Sequence, residues 1–333
     1  MQPRSRSQIS RALIERTKHD IYPFISPSSN LTGCTNGKIV LGTGSSGGIG
    51  RAAAKHFALA GAKVVVITGR NETSLQQTKS AIQAEVPSCD VLDVLLDITD
   101  ETAVGGLFSK LPAVPDILVN NAGTQRSSIR RRASLTAIPM IGGPTLYVSR
   151  GIFSQTQMIE YFQEVNVKGL YLCSRAYLRA LGGRSGVIVN VSSSVSVGPA
   201  AGNLSSYASA KIAVNKITEF IHAEHHEQGT RCIAVRPGGI ADTGMGNNAP
   251  PHYRHLLHDT VNLAAGTILY LSTPRAGFLD GRCVFSNWDM EKLEAIQEDI
   301  TKQDLLKTRL GLADGMKTDL VLPQYLSRAL WLT

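Results

Sequence analysis

Short runs of β-branched and aliphatic residues punctuate this chain from Lys38 onward: Ile39-Val40-Leu41, Val64-Val65-Val66-Ile67, residues 91–96, Ile117-Leu118-Val119 and Val187-Ile188-Val189. Residues 232–235 and 283–285 add two more. Runs this short and this continuously apolar predict strands buried on both faces. Helical stretches lie between them, over residues 51–60, 72–84, 158–180 and 207–227. Strand–helix alternation demands right-handed crossovers, which place helices on both faces of a parallel sheet. The pattern predicts one α/β domain over residues 37–310, a doubly wound parallel sheet of about seven strands. Residues 1–36 are polar and read as an N-terminal extension with one short helix around 9–17. Residues 311–333 lack pattern until Leu330-Trp331-Leu332 and read as a C-terminal tail. Residues 124–151 have no clear period, an irregular insertion of a length uncommon inside compact domains.

Composition changes this picture little. Of 333 residues, 43% are hydrophobic and 18% charged, which excludes disorder throughout. The net charge of +8 gathers partly at Arg4, Arg6, Arg11, Arg16 and Lys18 and at Arg130-Arg131-Arg132. No aromatic residues are interleaved with these clusters, which argues against nucleic-acid binding and favours an anionic cofactor as the use of the charge. Cys34, Cys89, Cys173, Cys232 and Cys283 are scattered and lack metal-ligand spacing, as expected for reduced thiols and no metal site. No apolar run is long enough to span a membrane. A cytoplasmic location follows as the expectation; the Arg- and Ser-rich start has the look of a mitochondrial presequence, against which Glu15 and Asp20 count.

Candidate chemistry falls at strand ends. Thr43-Gly44-Ser45-Ser46-Gly47-Gly48-Ile49-Gly50 follows the first strand and opens the first helix. Gly44, Gly48 and Gly50 suit a tight turn, a close phosphate and close helix–strand packing, with backbone N–H groups facing a pyrophosphate. The second strand ends in Thr68-Gly69-Arg70 rather than in a carboxylate, leaving room and charge for a 2′-phosphate, hence NADP(H). Asp97 closes the third strand and suits either an adenine amino group or a turn. Asn120-Asn121-Ala122-Gly123 closes the fourth, Asn190-Val191-Ser192-Ser193-Ser194 the fifth, and Arg236-Pro237-Gly238-Gly239-Ile240-Ala241-Asp242-Thr243 the sixth. Tyr207 and Lys211 share a helix face one turn apart. An ammonium beside a phenol favours phenolate, which predicts a tyrosine pKa below its usual value of about 10 and proton exchange with an alcohol oxygen near neutral pH.

Together these residues resemble the short-chain dehydrogenase/reductase family, from about Lys38 to Asp289. The resemblance implies a Rossmann-like fold and an NAD(P)-dependent oxidoreductase. It implies Tyr207 as acid/base, Lys211 lowering its pKa and holding the nicotinamide ribose, and Ser193 on the substrate oxygen. Asn166, in Glu-Val-Asn-Val-Lys-Gly, would hold a water in the relay behind the lysine. Gly44, Gly48, Ile49, Gly50, Asn121, Ala122 and Gly123 match cofactor contacts, Asp97 the adenine contact, and Pro237, Ile240 and Thr243 the nicotinamide side. A homodimer or homotetramer through the helices at 158–180 and 207–227 is implied as well.

Three departures stand out. Ser193 lies one residue further from Tyr207 than the family's usual separation, which Ser194 meets; the offset from Asn190 favours Ser193. The Pro-Gly-x-x-x-Thr pattern carries one extra residue, which would displace Thr243. The segment from Gly123 to Glu164 is roughly twice the family's usual length, from either a lid or an unspliced intron. His19-Asp20-Ile21-Tyr22-Pro23, Phe278-Leu279-Asp280-Gly281-Arg282 and Asn287-Trp288-Asp289 resemble a subgroup of filamentous fungi, several of whose members act on secondary metabolites. The expected function is NADP(H)-dependent interconversion of a small-molecule ketone and a secondary alcohol. The alternatives are an NAD(P)+-dependent alcohol dehydrogenase and an inactive nucleotide-binding relative. Substrate contacts would come from residues 244–258, where His252, Tyr253, His255 and His258 lie, and from the 124–165 loop.

Overall fold

A computed structural model of the chain describes residues 17–124, 160, 162–198, 204–249 and 251–309. The predicted helix around 9–17, the 124–151 insertion and the tail 311–333 lie outside them, apart from Thr17 and Thr124.

Seven parallel strands form one sheet in the order β3-β2-β1-β4-β5-β6-β7. They are β1 (Ile39–Gly42), β2 (Val64–Gly69), β3 (Asp90–Leu95), β4 (Ile117–Asn120), β5 (Gly186–Val191), β6 (Thr230–Arg236) and β7 (Cys283–Phe285). Every residue of β2 and of β4 is buried, which is why their sequences read as unbroken apolar runs. Successive side chains alternate between two cores. Val65 and Ile67 face α1 (Gly48–Leu59) and α2 (Glu72–Glu85), while Val64 and Val66 face the opposite layer. That layer comprises α3 (Glu101–Gly105), α4 (Leu170–Leu181) and α5 (Ser205–His225), and α6 (Val261–Leu271) joins the first, with the short helices Met290–Glu294 and Gln297–Lys302.

Local signals set the helix ends. Asn71 accepts from Ser74 N–H at the start of α2, Asp100 from Ala103 N–H at α3, and Thr260 from Leu263 N–H at α6, each satisfying a donor the helix leaves unpaired. Gly182, in the left-handed region, ends α4. The helix predicted over 158–180 is not uniform: Glu164–Gly169 is π-helical and leads into α4. Asn166 donates from its side chain to Phe162 O, four residues back, and to Thr124 O, competing for the backbone at that turn.

β1 and β4 are adjacent while the connections from them run in opposite directions along the sheet, so the crevice beyond their carboxyl ends is the topological switch point. The candidate residues converge there.

Leu118 lies in the central strand and is fully buried. Leu118→Ala is expected to lower stability by about 2–5 kcal/mol, read as a reduced midpoint in chemical denaturation with the slope unchanged.

Candidate active site

The floor of the site is the turn between β1 and α1. Gly44 (φ +64°) and Gly48 (φ +52°) hold left-handed conformations that favour glycine. A Cβ on Gly44 would come within 2.8 Å of Ala122 Cα, and one on Gly50 within 2.4 Å of both Asn121 Nδ2 and Gly44 O. Asn121 uses this closeness: its side-chain amide donates to Thr43 O (2.9 Å) and Gly44 O (3.0 Å). Thr43 Oγ1 in turn accepts from Asn121 N–H and Ala122 N–H at 3.1 Å. The turns after β1 and β4 are thus stitched together. Gly47 caps α1 without a side chain, and no carboxylate stands in its first turn. Among the described residues no side chain caps the leading N–H groups of α1, and with Ile49 and Gly50 they fit the pyrophosphate of a dinucleotide.

At one end of this floor lie Arg70 and Asp97. Their charged groups are 3.8 Å apart and both side chains are exposed. Burial raises the Asp97 pKa, but the Thr99 N–H and hydroxyl and Arg70 outweigh it, and the net direction is down. Gly69 lets the end of β2 pack closely against the glycine turn, since a Cβ there would stand 3.0 Å from Ser46 Oγ.

The other end carries the proton-bearing groups. Tyr207 and Lys211 project from α5 and both are buried, Lys211 to 3% exposure. The ammonium donates to Val191 O at 2.8 Å, at the end of β5, and lies 5.8 Å from the centre of the Tyr207 ring. Burial lowers the Lys211 pKa to about 8. The expectation that Lys211 depresses the tyrosine does not hold for this arrangement. Burial pushes Tyr207 up to about 12, offset in part by a hydrogen bond with Ser193. Desolvation disfavours the phenolate, and the ammonium is turned onto a backbone carbonyl instead of the phenol oxygen.

Ser193 is the serine that bears on the Tyr207 phenol, lowering its pKa against burial; Ser194 is exposed and begins the short helical turn Ser194–Ser196. Asn166 is 1% exposed, and its Oδ1 accepts from Thr124 N–H at 3.1 Å. Gly123 permits the meeting of three elements, because a Cβ there would lie 2.7 Å from Asn166 Oδ1 and 3.4 Å from Lys211 Nζ. Past Pro237, Ile240 is buried and Thr243 stands over the glycine turn, with its Cγ2 3.3 Å from a Cβ placed on Gly48. The extra residue before Thr243 does not carry it away from that turn.

Some neighbours were not foreseen. Met245 Sδ accepts from the Tyr207 hydroxyl at 3.6 Å; only its position in the 244–258 segment hinted at this. Ser192 donates to Asn215 Oδ1 (2.6 Å), and Asn215 donates to Ser196 Oγ (2.9 Å), shaping the loop that bears Ser193. Of the histidines noted in 244–258, His255 is exposed and the His258 ring packs edge-on against His19, 4.4 Å between centres. His19, His258 and Asp259 bring ligand atoms within 4.8 Å of one another. Both Asp259 oxygens already serve protein donors, as described below.

A model of the short chain dehydrogenase family matches residues 38–254. The chain belongs to the short chain dehydrogenase family. These enzymes are oxidoreductases with a nicotinamide cofactor, NAD or NADP, and the glycine turn above fits such a group. The short chain dehydrogenase citE of Monascus ruber is 32% identical over 310 residues, covering 90% of this chain and 96% of that one. The short chain dehydrogenase andI of Emericella variicolor is 29% identical, covering 89% and 96%. Among solved structures, a short chain dehydrogenase from Mycobacterium smegmatis superimposes with a TM-score of 0.59 at 26% identity, over 81% of this chain and 96% of that one. The 3-oxoacyl-[acyl-carrier protein] reductase of Brucella melitensis gives 0.65 at 24%, over 80% and 97%, a likeness of fold. Among the described residues of this dehydrogenase no helix is long and apolar enough to cross a membrane.

The buried lysine makes stability depend on pH. Its folded pKa of about 8 lies below the unfolded value near 10.5, so between those values the unfolded chain binds the extra proton. Stability from this group should therefore rise with pH across that window, its penalty being complete below about pH 8. Lys211→Met should abolish that increment, measured as the difference in denaturation free energy between wild type and variant at each pH.

Proposed function

We propose that this dehydrogenase is an NADP(H)-dependent enzyme interconverting a ketone and a secondary alcohol. The observation that carries the reading is the buried Tyr207–Lys211 pair on one face of α5, its ammonium bonded to Val191 O at the carboxyl end of β5 just before Ser193, on the same sheet edge as the Gly44–Gly48 turn. When bound, the nicotinamide supplies a hydride to a carbonyl carbon or takes one from an alcohol. The chain's own task is then proton and charge management at the substrate oxygen. Tyr207 donates its proton to that oxygen in reduction and accepts it in oxidation. Ser193 donates a second hydrogen bond where negative charge builds, as an oxyanion site does. Lys211 would hold the ribose of the cofactor with its ammonium and, as a buried cation, would favour phenolate if that ammonium came to face the phenol. Asn166, fixed by Thr124 and Phe162, bounds the path behind the lysine.

Arg70 supports NADP over NAD: an exposed guanidinium paired loosely with Asp97 is free to exchange that partner for a 2′-phosphate. Asp97, held by Thr99, is then the group beside the adenine. The Monascus and Emericella relatives support a fungal small molecule as substrate. Tyr171 and Phe220, exposed on α4 and α5, support a homodimer or homotetramer through those helices.

Titration with NADPH and NADH, followed by nicotinamide fluorescence, tests the cofactor assignment. Arg70→Ala should weaken NADPH by roughly tenfold or more, the worth of a charge-assisted hydrogen bond, and leave NADH within about twofold. Equal loss for both nucleotides would remove the phosphate role. With any ketone the wild type reduces, Tyr207→Phe should cut turnover by about 10²–10⁴-fold while NADPH affinity holds. A turnover near wild type would dismiss Tyr207 as the acid.

A further inference from the structure

Residues 18–25 are bound to the domain along most of their length. Lys18 N–H donates to Asn287 O (3.2 Å), Asn287 Nδ2 donates back to Lys18 O (2.8 Å), and the Lys18 ammonium pairs with Asp289 (3.1 Å). Thr260 N–H donates to His19 O at 2.9 Å, and the Tyr22 hydroxyl accepts from Met290 N–H at 2.7 Å. Phe24 and Ile25 are buried. Ile25 O reaches α6 because Gly266 stands there, where a Cβ would come within 2.8 Å of it. This is a strap with polar anchors at one end and an apolar plug at the other.

Its polar end meets a single buried carboxylate. Asp259 is 8% exposed. Oδ2 accepts from Gly239 N–H at 2.6 Å, while Oδ1 accepts from Asn287 Nδ2 at 2.9 Å and pairs with His19 Nδ1 at 2.6 Å. Asp259 N–H also donates to Gly239 O at 2.8 Å, so residue 239 is gripped from both sides. Gly238 has φ +98°, and a Cβ there would lie 2.4 Å from Asp259 Oδ2; the turn seats on the carboxylate because it has no side chain. Ile240 follows at once and bridges to Asp259 in parallel, and Thr243 beyond it stands over Gly48. One carboxylate therefore connects the strap, the loop after β7, the entry to α6 and the turn that carries the nicotinamide-side residues.

We propose that His19, acting through Asp259, is a positioning residue for the nicotinamide half of the cofactor site, so that the N-terminal strap is part of the active-site wall. The inference rests on the cofactor site assigned above. A buried carboxylate that loses a donor recovers it by shifting toward the donors that remain. Here those are Gly239 N–H and Asn287, and the first of them belongs to the turn whose position matters. The adenosine half is assigned to the glycine turn and Arg70, to which no described strap residue makes a hydrogen bond or ion pair, and should not respond.

Two binding ligands separate these halves: NADPH, and 2′-phospho-ADP-ribose, which lacks the nicotinamide. Wild type, His19→Ala and His19→Asn are titrated with each, beside a denaturation midpoint. The His19 side chain is 47% exposed, so its removal leaves the Phe24 and Ile25 plug in place. His19→Ala should bind 2′-phospho-ADP-ribose within about twofold of wild type but NADPH about fivefold more weakly. His19→Asn, whose amide restores a donor near Nδ1, should recover most of that loss. Equal weakening of both ligands, or of neither, overturns the strap's role. A wild type that binds neither ligand instead sinks the cofactor site, and the inference with it. Asn287→Ser removes a second donor to the same carboxylate and should show the same split; it stands in if His19→Ala is not recovered folded, and affinities equal to wild type there also overturn the proposal.

Discussion

The Asn121 side chain bonded to Thr43 O and Gly44 O is the contact on which the rest of the site depends. It joins the carboxyl ends of β1 and β4 where the sheet's connections diverge, and it forces two turns into one another's van der Waals surfaces. Gly44 and Gly50 are the consequence, since each would otherwise place a Cβ against Ala122 or Asn121. With that junction closed, Gly123 falls against Asn166 and Lys211, and Gly48 against Thr243. A floor of backbone N–H groups and a wall of proton-bearing side chains are then fixed relative to each other by close packing, which tolerates no gradual drift.

Burial governs the electrostatics of that wall. The buried ammonium and the buried phenol each move toward the neutral form, Lys211 downward and Tyr207 upward. Both shifts have the same cause, since loss of water disfavours the charged form of either group. Beneath them, Asn120 and Asn190 are hydrogen-bonded to each other and to Ser174 and Thr218, a buried polar bridge from the sheet to α4 and α5. It holds the helix that carries Tyr207 and Lys211 in register with β5, which leads into Ser193. Buried hydrogen-bonded networks of this kind rigidify what they touch, although Asn120 Oδ1 has no hydrogen-bond partner among the described residues.

Much of this was legible in the sequence because of where it lies. Strands buried on both faces spell themselves as Val64-Val65-Val66-Ile67, and the polar residues that interrupt such runs mark strand ends, where ligands gather in open parallel sheets. What was not legible depends on depth or on distance. Spacing put Tyr207 beside Lys211 but said nothing of burial or of where the ammonium points, so the direction of the tyrosine shift came out reversed. The strap was read as part of a polar extension, since His19 and Asp259 are 240 positions apart and a handful of anchors among serines and prolines makes no periodic pattern. The π-helical turn at Glu164–Gly169 likewise comes from one side chain's bonds to backbone at Phe162 and Thr124.

The most direct measurement of the central claim, that a nicotinamide dinucleotide lies across the carboxyl ends of these strands, is amide hydrogen exchange with and without saturating NADPH. A bound dinucleotide should add protection in residues 43–50, 120–123, 191–194 and 238–243, separate in sequence and joined only at that edge, with the opposite ends of the strands unchanged. Protection confined to other surfaces, or none at a concentration that saturates binding, would contradict it.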